Sequence, residues 1–178
     1  VLLLSACATH TLAPVLRPAK SESAGFAING RVLAIHNGSR ESAGIRWTHQ
    51  SQSDEILLLT PLGQTAARIY RDETHATLDE GEKHYTDRDV ESLMMRVLGW
   101  RLQLNSLHHW LLGIAPGDHA LIDFDELGRP VVVRQDGWEV RYLQYAGNKG
   151  DSLPVRMQLS RDNLQLTLLV DEWEWSPE

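Results

Sequence analysis

Eight histidines and 24 acidic residues could support acid–base or metal chemistry, so their spacing decides whether any of it is used. The most suggestive pair, His108-His109, are chain neighbours. Neighbours on a helix point about a hundred degrees apart, whereas a shared metal needs an i, i+4 pair. One of the two is expected to face solvent and the other to cap a groove. Asp123, Asp125 and Glu126 form a carboxylate cluster, but alternation with Ile122 and Phe124 makes them the solvent face of a strand. No His-Glu-x-x-His, no Gly-x-Ser-x-Gly and no phosphate-cradling glycine loop occurs. Asn37-Gly38-Ser39 matches a glycosylation sequon and reads as a turn. These spacings argue against an enzyme and call for no metal and no cofactor.

The one thiol, Cys7, closes the string Leu4-Ser5-Ala6-Cys7 at the end of an apolar run. An apolar stretch ending in small residues is how an export signal finishes. Residues 1–6 are therefore expected to be the tail of a signal whose earlier part precedes Val1, and residues 7–24 a lipidated tether. The tetrapeptide resembles the lipobox of bacterial lipoproteins. That resemblance implies that Cys7 carries a diacylglycerol and an acylated amino terminus, and Ala8, where an inner-membrane retention signal has Asp, implies the outer membrane.

The net charge of −7 and pI near 5.6 argue against a nucleic-acid partner, which would draw its affinity from clustered Lys and Arg. One cysteine in an exported chain means no internal disulfide, so stability must come from packing. No apolar run approaches the roughly 20 residues that cross a bilayer as a helix. Residues 25–178 are long enough for one domain with one core.

Two kinds of element must position whatever this domain binds. From Phe26 short strands follow one another. Asn37-Gly38 suits a tight hairpin, with Ala43, Ile45 and Trp47 alternating beyond it, and Asp136-Gly137 joins two later strands. Thr60-Pro61-Leu62-Gly63 places Pro and Gly as a type I turn wants them. Further strands are expected near 56–59, 67–69, 76–78, 83–85, 121–124, 131–135, 138–145, 155–159 and 164–175. Mid-chain, Val90, Leu93, Met94, Val97 and Leu98 fall at helical spacing, with Thr86 or Asp87 as N-cap and Gly99 as the stop. A second helix is expected over Ser106 to Leu112, capped by Asn105 or Ser106 and ended by Gly113. About eleven short strands with one helical pair predict an α+β fold, a mostly antiparallel sheet that curls and is covered by the helices.

Six tryptophans against two phenylalanines is an unusual balance. Trp47, Trp110, Trp138 and Trp173 lie on apolar faces of these elements, where rings bury large areas and present a flat wall to a guest. With Leu93, Met94, Val97, Leu107 and Leu111 from the helices they are the candidate lining of a hydrophobic cavity.

Taken in order, several segments resemble the LolB family: the strand ending in Trp47, Leu58-Leu59-Thr60-Pro61-Leu62-Gly63, Leu98-Gly99-Trp100, Leu104-Asn105-Ser106-Leu107, Trp110-Leu111-Leu112-Gly113, Gly137-Trp138 with Tyr142, and the last strand with Trp173. The likeness covers the chain from Phe26 onward. It implies an unclosed antiparallel β-barrel of eleven strands whose helices cover a cavity for lipoprotein acyl chains. It also implies a monomer that takes its cargo from a LolA-type periplasmic carrier and releases it into the outer membrane without consuming a nucleotide. The family's apolar residue on a protruding loop maps onto Leu62, between Pro61 and Gly63, and implies a membrane contact there. Two departures stand out. Pro14 and Pro18 interrupt the segment where the family has a helix, and Gln103 stands where it often has Pro. The residues by themselves also allow an anchored carrier of another apolar ligand, or a structural subunit of an envelope assembly.

Overall fold

The computed structural model describes residues 25–117 and 119–175. Cys7, the tether over 7–24 and the prolines within it lie outside them. In chain order the elements are β1 (Phe26–His36), β2 (Ser39–Gln50), β3 (Ser53–Leu59), β4 (Thr65–Arg71), β5 (Ala76–Glu80), β6 (Lys83–Asp87), α1 (Val90–Leu98), α2 (Leu104–Leu111), β7 (Leu121–Phe124), β8 (Pro130–Gln135), β9 (Trp138–Tyr145), β10 (Pro154–Arg161) and β11 (Leu164–Trp175). No helix among the described residues is long and apolar enough to cross a membrane.

The eleven strands form one antiparallel sheet in the order β6-β5-β4-β3-β2-β1-β11-β10-β9-β8-β7. Each half of the chain is a meander built on short turns. Asn37 and Gly38, and again Asp136 and Gly137, take the positive φ that a two-residue hairpin demands. The halves join along β1 and β11, from Phe26 opposite Trp175 to His36 opposite Leu164. The first and last strands therefore lie at the centre, and β6 and β7 are the two edges. Because α1 and α2 connect those edges, the chain has to cross the mouth of the curved sheet between them, and the helices fall over its concave face.

Curvature comes from the accumulated twist of a wide sheet and from a bulge between Asn29 and Gly30. Gly30 is required there, since a β-carbon would overlap the carbonyl oxygen of Leu169 on β11. Alternation then sends Ile28, Ile45, Trp47, Ile56, Ile69, Leu78, Val140, Met157, Leu166 and Leu168 into one core under the helices.

The helices start where strand pairing and burial allow, not at the polar residues the sequence favours. Thr86 and Asp87 remain in β6, paired with Thr77 and Ala76, so the N-cap of α1 is Asp89, whose carboxylate accepts the Ser92 N–H at 2.8 Å. Gly99 ends α1 as expected, at φ 78°. Helix α2 begins two residues before the expected Ser106 and is capped by neither Asn105 nor Ser106. Its N-cap position, Gln103, makes no side-chain capping bond, because burial of Leu104 sets the start.

At the β7 edge the expected alternation holds only in part. Asp123 lies outward, 3.1 Å from Arg134, and Ile122 packs on the core. Phe124 is 59% exposed, since among the described residues no strand or helix extends past the β7 edge to cover it. Asp125 belongs to the following turn, where it accepts N–H groups of Leu127 and Arg129.

Candidate functional site

The concave face brings the candidate cavity residues into one cluster. Trp47, Trp110, Trp138 and Trp173 are all buried, with Leu93, Met94, Leu107 and Leu111 beside them and Val97 packed at the margin. Trp110 sits 6.1 Å from Trp138, and Phe26 links Trp47 to Trp173 by edge contacts at 5.8 and 5.5 Å. The rings pack on one another and on the helices, so in this conformation helix side chains occupy the hollow of the sheet. Within this apolar interior the indole N–H groups of Trp138 and Trp173 and the side-chain carbonyl of Gln103 have no hydrogen-bond partner among the described residues.

Helix α1 lies against β5 and β6, while polar contacts fix α2 to both halves of the sheet. On one side the Trp110 indole donates to Gln135 of β8 at 3.1 Å, and the Tyr142 hydroxyl of β9 donates to the Trp110 carbonyl at 2.9 Å. On the other side the ring of His108 stacks on His49 of β2 at 4.4 Å. His108 thus does not cap a groove. The helix face that buries Leu104 and Leu107 carries it inward, and His109 bonds the Asn105 carbonyl instead.

His49 belongs to a buried polar group that the sequence reading misses. Asp54 accepts the Trp47 indole N–H at 2.8 Å and lies 2.7 Å from His49 Nδ1 through Oδ1, while Oδ2 takes the Arg71 guanidinium at 2.6 Å. The signal was parity: Ile45-Trp47-His49, Asp54-Ile56-Leu58 and Ala67-Ile69-Arg71 each put a polar residue in register with inward apolar ones. Burial pushes the Asp54 carboxyl up, but the His49 bond, the Arg71 charge and the Trp47 bond outweigh it and hold the group below its ordinary value.

Burial first, then the neighbouring His109 and His49, lowers His108 from 6.5 to about 4, against the Leu104 carbonyl and Asp54. Below pH 6.5 the unfolded chain therefore takes up a proton that the folded chain refuses until about pH 4. Stability should fall on acidification through that window, by at most about 1.4 kcal/mol per pH unit. The Asp54 contribution is present above the ordinary carboxylate range and is lost only as pH falls through its lowered folded value. Urea unfolding between pH 7 and 4 should show a sloping midpoint that His108→Gln flattens; an equal slope in both proteins would remove His108 as its source.

At the far end of β3 the turn carrying Leu62 is held by Thr60. Its carbonyl accepts the Gly63 N–H at 2.8 Å, its N–H donates to the Gln64 carbonyl at 2.8 Å, and its hydroxyl accepts the Gln64 N–H at 3.2 Å. Gly63 takes φ 79°, and Leu62 at the tip is 86% exposed. Pro61 and Gly63 flank it as expected.

The family profile described as "Outer membrane lipoprotein LolB" matches residues 24–173. The chain is 36% identical over 174 residues to "Outer-membrane lipoprotein LolB" of Azoarcus sp. (strain BH72), covering 97% of this chain and 90% of the relative. It is 39% identical over 170 residues to the protein of the same name from Nitrosomonas europaea, covering 93% and 80%. In fold it is similar to the crystal structure of a LolA superfamily protein from Nitrosomonas europaea, with a TM-score of 0.54 over 88% of each chain at 10% identity. With the open eleven-stranded sheet, its helical cover and the exposed Leu62 turn in place, the match along nearly its whole length makes this chain a member of the LolB family of outer-membrane lipoproteins.

Proposed function

We propose that the protein is a lipoprotein receptor of the outer membrane. It is anchored through Cys7, accepts the acyl chains of a lipoprotein from a LolA-type periplasmic carrier, and passes them into the bilayer as a monomer. The observation that carries this reading is the apolar concave face of an open sheet roofed by two helices. Acyl chains enter by displacing α1 and α2 side chains such as Met94 and Leu107 from the sheet.

Each CH₂ group moved out of water is worth about 0.8 kcal/mol, so an acyl chain is held firmly yet moves between two like interiors at little net cost. The bilayer then offers a larger apolar sink, and the exchange needs no bond chemistry. The Trp138 and Trp173 N–H groups, unpartnered among the described residues, supply donors for the ester carbonyls of the cargo.

A transfer assay tests this. Carrier loaded with an acylated lipoprotein is mixed with the protein, and vesicles are added afterwards. Cargo should move first to the protein and then to the vesicles without nucleotide. Cargo that stays on the carrier would overturn the reading, and recovery of a different lipid from the purified protein would replace it with that of another apolar-ligand carrier.

A further inference from the structure

The face of the sheet turned away from the helices carries a trough of its own. The register sets six outward residues side by side across six strands: Leu59, Gly44, Arg31, Leu169, Arg156 and Gln144. Gly44 has no side chain, so the row dips between Leu59 and Arg31. The resulting hollow of about 650 Å³ is floored by Leu33, Leu59 and Leu169, and it reaches Thr60 and Pro61 at the base of the Leu62 turn.

Its charge runs against that of the chain. A protein of net charge −7 lines this trough with two guanidinium groups and no carboxylate. Arg31 is shared with Asp171 at 2.9 Å in an exposed pair, whereas Arg156 makes no ion pair among the described residues. The two arginines lie on either side of Leu169, two strand spacings or about 10 Å apart, within reach of one anionic group between them.

We infer that this trough binds an anionic phospholipid of the membrane, its phosphate between Arg31 and Arg156 and its upper acyl segment over the leucines. The protein then lies on the bilayer with its outer sheet face down and Leu62 inserted. The acidic remainder of the surface is repelled by the same lipids, which fixes the orientation. This extends the proposed release step, on which it rests, to a lipid class and a docking face.

Flotation of the full chain carrying Cys7→Ala, so that no acyl anchor holds it to the vesicle, with phosphatidylcholine vesicles with and without phosphatidylglycerol, tests the inference. Phosphatidylglycerol should strengthen binding. Arg156→Gln should weaken that gain about fivefold and adding Arg31→Gln should weaken it further, with the difference fading at high salt. Ser42→Trp, which fills the trough from an exposed position, should weaken it with both arginines intact. Inorganic phosphate should not compete. Equal flotation of wild type and arginine variants overturns the inference, and competition by phosphate alone reduces the trough to a small-anion site. Uptake of cargo from a loaded carrier separates the two readings: the arginine variants should take cargo normally, and only a wild-type protein that takes none would count against the receptor function itself.

Discussion

Leu62→Glu is expected to leave folding and uptake of cargo unchanged and to cut delivery of that cargo into vesicles at least tenfold. The side chain stands on a turn already fixed by Thr60, so nothing in the fold depends on it. Moving a fully exposed leucine into an apolar phase gains roughly 1.5–3 kcal/mol, which alone corresponds to about ten- to hundredfold in an equilibrium. A glutamate forfeits this gain and adds the cost of bringing a charge toward lipid. Leu62→Phe should therefore deliver normally, because it keeps the apolar tip. A glutamate variant that delivers cargo at the wild-type rate would show that the tip does not meet the membrane.

Asp54→Ala should be among the most damaging single changes to stability, costing about 3–5 kcal/mol in urea unfolding. The carboxylate is 2% exposed and balances Arg71 while satisfying Trp47 and His49. Its removal leaves an uncompensated guanidinium and an unpaired indole N–H inside the sheet. Asp54→Asn, which keeps acceptor capacity but not the charge, should fall between the two proteins. Since His49 supports the His108 ring, Asp54→Ala should also loosen α2, seen as faster amide exchange at Leu107 and Trp110 than the global destabilisation explains. A loss below about 1 kcal/mol would mean that water reaches Arg71 freely.

Much of this architecture is legible from residues alone because its signals are local. Asn37-Gly38 and Asp136-Gly137 announce their hairpins, alternation marks the strands, and Pro61 and Gly63 bracket an exposed Leu62. What escapes is non-local. The cap of α1 moves to Asp89 because pairing with β5 holds Thr86 and Asp87 in a strand. His49 and Asp54 look like ordinary polar residues beside a turn until Arg71 arrives from a third strand. Trp47, Trp110, Trp138 and Trp173 can be assigned to apolar faces one at a time, but their meeting depends on how far the whole sheet bends. The trough on the outer face needs the register of six strands, which no single segment encodes.

The seam between β1 and β11 sets the order of assembly. Phe26 pairs with Trp175, so the middle of the sheet is its least local part, whereas each meander is built from neighbours. A chain emerging amino terminus first can zip up to β6 and then wait, with β1 unpaired on one side, until the final strand arrives. Contacts of such long separation form slowly. Loss of the twelve residues of β11 would accordingly not trim an edge; it would split the sheet into two half-shells, each presenting a raw central strand to whatever segment comes by.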